Sequence, residues 1–186
     1  MVLQFSKMRD DSSFELKTVP SDKNNNLSVF MKAGETKDSA WVIGESTAQI
    51  PISKIDEVIT SLEKQVVFDK MIDKYNLIKS IAPGFDLIYR VNKGNFMMAA
   101  RDYILSTGKH VLSSGEIIHT FFTTSHPDHP EQDKITRTPY LNGIWILTPV
   151  DESNTKITKI TECDLTMKPA CGPHVQNLIK ELLKAQ

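Results

Sequence analysis

The sequence contains no long apolar run. None of its hydrophobic stretches approaches the roughly 20 residues needed to cross a bilayer. Its first ten residues carry polar Gln4, Ser6, Lys7 and Arg9 where a secretory leader needs an apolar core. A cytoplasmic location is therefore expected. Cysteine is scarce: Cys163 and Cys171 lack the close-paired spacing of zinc or redox sites, which favours reduced thiols. Charge of one sign is missing as well. Twenty-two lysines and arginines against 23 aspartates and glutamates leave a formal net charge of -1, so nothing draws the chain in bulk to nucleic acid or anionic membranes. There is no internal repeat and no phosphate-cradling glycine loop.

Catalytic constellations are also hard to find. His126 and His129 have a metal-like separation, but each precedes a proline in a turn and they share no helical face. Cys163 with His119 or His174 could form a nucleophile pair, yet no local signature supports one. No carboxylate pair stands out from solvated surface charge. The expectation is a protein that is not an enzyme and that uses no metal or cofactor.

What is present is a hydrophobic fraction of 40% in 186 residues, enough for one domain spanning 1–186 that buries roughly 70% of its unfolded surface. Strand-like segments run over Phe14–Val19, Leu27–Met31 and Trp41–Ile50, the first two separated by the polar stretch Ser21–Asn26. The period then changes. Ile55, Val58, Ile59 and Leu62 fall on one helical face, and Ser53 with Asp56 resembles a capping box. Further strands are expected at Asn76–Ile81, Phe85–Val91, Val111–Thr123, Ile144–Thr148 and Lys156–Cys163, divided by turn signals such as Ala82-Pro83-Gly84. A closing helix begins near Pro173, with Val175, Leu178, Ile179, Leu182 and Leu183 on one face. Strands grouped together with helices near the ends point to an α+β domain on an antiparallel sheet. The last helix packs on that sheet or closes over a cavity in it; periodicity does not choose.

From about Trp41 onward an ordered series of motifs resembles the START family of lipid transfer domains. Phe68-Asp69 sits where the family has Trp-Asp. Arg101-Asp102-Tyr103-Ile104 matches its Arg-Asp-aromatic-aliphatic motif. Ser125-His126-Pro127, Arg137, the Gly143–Pro149 strand and Thr158–Asp164 follow in family order. The segment Asp164–Pro169 departs from the family by lacking a glycine and one residue, and the terminal helix is shorter than usual. The resemblance implies a helix-grip fold, a curved antiparallel sheet around a C-terminal helix. It further implies a tunnel holding one lipid, carried by a monomer that touches membrane surfaces transiently. Hiding each lipid methylene from water is worth about 0.8 kcal/mol, so a closed tunnel makes a single lipid transportable.

Within the family, the phosphatidylcholine transfer branch is the nearest in site pattern. It holds choline on aromatic faces, an attraction of about 0.5–2 kcal/mol per ring. Tyr103 and Tyr140 fall on two of its aromatic positions, and Tyr89 lies within a residue of a third. Asp69 keeps the branch's acidic position, whereas Gln65 stands where the branch has its phosphate-binding arginine. Arg101 and Asp102, being adjacent, point apart. They either satisfy buried loop groups or, for Arg101, contact the headgroup. The expected lipid site is thus Tyr89, Tyr103, Tyr140, Asp69 and Arg101, and the expected cargo a glycerophospholipid. A sterol or other hydrophobic ligand, or a cyclase-type helix-grip enzyme, remain the alternatives.

Overall fold

The computed structural model describes residues 8, 11–13, 15–16, 28–34, 36, 38–94, 96, 99–139, 141–164 and 181. Its elements are β1 (Glu15–Leu16), β2 (Ser28–Ala33), β3 (Ser39–Ala48), α1 (Ile52–Thr60), α2 (Leu62–Phe68), β4 (Ile72–Ala82), β5 (Phe85–Asn92), β6 (Ala100–Val111), β7 (Ile117–Thr124), β8 (Ile135–Arg137), β9 (Gly143–Pro149) and β10 (Thr155–Asp164). Nine strands form one antiparallel path in the order β1-β2-β3-β10-β9-β7-β6-β5-β4, and β8 adds to β6 in parallel. The fold is α+β. The expected C-terminal helix lies, apart from Glu181, outside the described residues.

Both faces of the sheet are covered, which long β-branched strands such as Ile43, Ile144, Ile146 and Ile160 favour. On the inner face Ile55 of α1 and Phe68 of α2 pack with Ala48, Trp145, Leu147 and Ile157. On the outer face Trp41, Ile43, Ile118, Ile144 and Ile160 form a second core, with Met8 and Phe30 against it. Leu87, Tyr89, Val91 and Ile104 make a third, also outward.

Local signals were partly misleading. The expected single helix over Ser53–Gln65 is broken at Ser61, whose extended ψ of 120° stops α1 and whose Oγ accepts the Lys64 amide at 3.2 Å to start α2. Ser53 caps nothing, because the helix already begins at Ile52 after Pro51. Asp56 is turned across to the sheet instead. The segment Val111–Thr123, expected as one strand, is a hairpin: β6 ends at Val111, and Gly115, at φ +84°, lets the chain reverse into β7.

Candidate functional site

A cavity of about 420 Å³ lies between the inner face of the sheet and the two helices. Strand alternation decides what faces it. Asp86, Ile88 and Arg90 of β5 line it, as do Leu105, Thr107 and Lys109 of β6, with His119 and Phe121 of β7, Trp145 of β9, and Lys159 and Thr161 of β10. Leu62, Gln65, Phe68 and Asp69 close it from the helical side. The close approach of Phe121 requires Gly143: a Cβ there would stand 2.8 Å from the Phe121 ring and 2.2 Å from the Ile160 carbonyl.

The lining residues fall into rungs across neighbouring strands. Tyr75, Arg90 and Tyr103 are in register across β4, β5 and β6. Leu77, Ile88 and Leu105 form the next inner rung. Asp86, Thr107, Phe121, Gly143 and Thr161 follow. The last is Lys109, His119, Trp145 and Lys159 across β6, β7, β9 and β10. The first and last rungs carry much of the polar chemistry, and they are six residues apart along β6, about 20 Å at roughly 3.4 Å per residue.

At the first rung Arg90 Nη2 donates to Asp69 Oδ2 at 2.6 Å and Nε donates to Asn92 Oδ1 at 2.7 Å. The Met71 amide donates to the other Asp69 oxygen at 3.0 Å. Asp69 is 3% exposed, so this pair is nearly dry. Arg90 Nη1 makes no hydrogen bond among the described residues. Burial pushes the neighbouring Tyr75 hydroxyl up from its usual value, with Asp69 and Asp86 adding to the shift and Arg90 opposing it.

At the last rung Asp56 of α1 accepts from Lys109 Nζ at 2.7 Å and meets His119 Nε2 at 2.9 Å. A carboxylate only accepts, so Nε2 carries the proton. Burial holds the His119 imidazole below its ordinary value, against the opposing pull of Asp56, and Lys109 and His110 add to the lowering. Lys159 Nζ stands 4.5 Å from the Trp145 ring centroid and 5.8 Å from that of Phe121.

Among the described residues, the expected site residues Tyr89 and Arg101 are not brought to the cavity that Asp69 lines. Asp69 lines the cavity. Tyr103 is on the inner face and packs with Ile88, Leu105, Leu62, Tyr75 and Leu141. Tyr89 is on the opposite face of the sheet from Tyr103, so the two cannot form one cage. Its hydroxyl donates to Asp102 at 3.1 Å and accepts from Gln132 at 3.1 Å, and its ring lies 5.1 Å from that of His129. Arg101 is half-buried, does not line the cavity, and donates to the Ala99 carbonyl at 3.4 Å. Tyr140 lies outside the described residues. Gln65 lines the cavity but donates its amide to the Val58 and Ile59 carbonyls, tying α2 to the end of α1. Arg90, Lys109, His119 and Asp56 were not singled out from the sequence for this site.

A curved antiparallel sheet with helices over an internal cavity defines a class of ligand-enclosing α+β folds. The START domain profile matches residues 24–186, and the chain belongs to the START domain family, whose fold is one of lipid binding and transfer. A comparison with curated proteins finds no match. Human StAR-related lipid transfer protein 5 superposes with a TM-score of 0.87 at 14% identity, covering 99% of this chain and 91% of that one. Human STARD10 gives 0.83 at 14% identity, covering 98% and 78%. A STAR-related lipid transfer protein fragment from Xanthomonas axonopodis gives 0.77 at 15% identity, covering 94% and 98%. At such identities these likenesses concern the fold alone. No helix among the described residues is long and apolar enough to cross a membrane.

Proposed function

We propose that this protein encloses one lipid in the inner cavity and carries it between membranes without changing it, the lipid's polar end lying at Arg90. The observation that carries this reading is a guanidinium on the cavity wall whose side chain is only 11% exposed. It is neutralised by Asp69 and retains an Nη1 donor for an incoming oxygen. A self-neutralised pair suits an uncharged oxygen, a hydroxyl or carbonyl, because neither partner is left with surplus charge to be met in a low dielectric.

Of the two lipid classes considered, a hydroxyl-bearing, sterol-like molecule therefore has more support than phosphatidylcholine. Choline makes no hydrogen bond, so at this rung it would leave Arg90 Nη1 unmet. Tyr89 lies across the sheet, and the Gln65 amide is already committed to two carbonyls. The test is identification of the lipid that co-purifies, followed by vesicle-to-vesicle transfer assays with a fluorescent sterol and with labelled phosphatidylcholine. A stoichiometric neutral lipid and sterol transfer are expected. Stoichiometric phosphatidylcholine would overturn the lipid assignment, and absence of any bound or transferred lipid would overturn the carrier reading.

A further inference from the structure

The second polar end of the cavity has no role in a carrier that anchors one headgroup at Arg90. His119 is 7% exposed, lines the cavity, and is fixed through Nε2 by Asp56, which Lys109 holds in turn. That arrangement sets the tautomer: the proton is on Nε2, and Nδ1 is left as an acceptor. His119 makes no further hydrogen bond among the described residues. A ligand hydroxyl that reaches this acceptor gains a hydrogen bond that the described residues do not supply. Between His119 and Arg90 the intermediate rungs place apolar Ile88, Leu105 and Phe121 on the wall, with Asp86, Thr107 and Thr161 beside them.

We infer that the ligand is an elongated apolar molecule bearing an oxygen function at each end, one received by Arg90 and the other a hydroxyl donating to His119 Nδ1. This rests on the carrier reading and narrows its cargo from a one-headed lipid to a two-headed one. The two anchors are about 20 Å apart along the strands, so the cavity measures length as well as polarity. A molecule with a single polar end leaves one anchor unsatisfied. A short molecule with two polar ends reaches only one of them.

The test compares hexadecan-1-ol with hexadecane-1,16-diol, which differ only in a hydroxyl at the far end, by competition against a fluorescent fatty alcohol on the full chain. If both anchors act, the diol binds at least as tightly as the mono-alcohol despite its greater affinity for water. If the far end is merely apolar, burying a second hydroxyl weakens the diol by about tenfold or more. Replacement His119→Phe is expected to convert the first pattern into the second, read as a fall of about tenfold or more in the affinity of the diol relative to that of hexadecan-1-ol. The wild-type comparison stands even if that variant does not fold. Binding of both probes with the diol the weaker overturns the two-headed cargo and leaves the carrier intact. Binding of neither overturns the carrier reading, and the inference with it.

Discussion

Two carboxylate–arginine pairs occupy opposite faces of the sheet, and their surroundings differ more than their chemistry. On the outer face Asp102, fully buried, accepts from Arg137 Nε and Nη2 at 2.7 and 2.8 Å. Arg137 also donates to the carbonyls of His129 and Pro130, and Tyr89 donates to Asp102. Strands β6 and β8 and the segment before β8 therefore meet on one carboxylate, whose hydrogen bond holds the Arg137 guanidinium even more firmly protonated than usual. On the inner face Asp69 and Arg90 also join two parts of the fold, but beside a cavity, and one guanidinium nitrogen is left over. A saturated pair locks structure, whereas one with a spare donor facing a cavity can serve a ligand.

That contrast breaks most sharply at Asp102. Asp102→Ala leaves Arg137 uncompensated and is expected to cost about 3–5 kcal/mol of unfolding free energy, read by urea denaturation. The inner pair should behave differently when both partners go. Asp69→Asn with Arg90→Met should keep stability within about 1–2 kcal/mol of wild type, since replacing a buried pair together is often neutral. Its affinity for a hydroxyl-bearing lipid should nevertheless fall by about tenfold or more, measured by fluorescent-sterol titration. Equal stability loss in the two cases would erase the distinction.

Tyr89→Phe is a smaller probe of the same contrast. Losing one hydrogen bond to Asp102 should cost about 1–2 kcal/mol with lipid affinity unchanged. A drop in affinity would mean that the outer face reaches the ligand. The smallest effect is a pH dependence. His119 titrates lower in the folded protein than in the unfolded chain, so the unfolded state takes up the proton first as pH falls. Stability should then be full above about pH 6.5 and decline below it toward the lower folded value, by no more than about 1.4 kcal/mol per pH unit. His119→Gln should remove that part of the slope in denaturation series from pH 7.5 to 5.

Much of the fold was legible because the strand signals are strong where both sheet faces are apolar. Trp41–Ile50, Phe85–Val91, Ile144–Thr148 and Lys156–Cys163 all fall within or close to observed strands. Strand β6 was missed because Arg101–His110 mixes polar and apolar residues on both faces. Its turn at Ser113-Ser114-Gly115 sits inside what reads as a single run. The site was less legible for a related reason. In Phe85–Asn92, alternation reads Leu87, Tyr89 and Val91 as the core face and Asp86 and Arg90 as the wet face. Both faces are in fact covered, and the polar residues turn toward the cavity. The family pattern placed an aromatic within a residue of Tyr89, and in a strand one residue decides the face. Ile88 and Arg90, not Tyr89, are the residues that turn inward. Asp56, read as a helix cap, serves residues 53 and 63 positions away, a pairing that no local window contains.

The β4–β5 hairpin has one more consequence. Strand β4 ends the sheet, and its pairing with β5 slips between Ile72 and Lys74, between Leu77 and Lys79, and between Ser80 and Ala82. Such irregularities coil a strand and spoil it as a template, and exposed Asp73, Lys74 and Lys79 add charge along it. Among the described residues the sheet stays open at β4, an edge on which a second chain could pair. Here that edge is crooked and charged, which disfavours such growth.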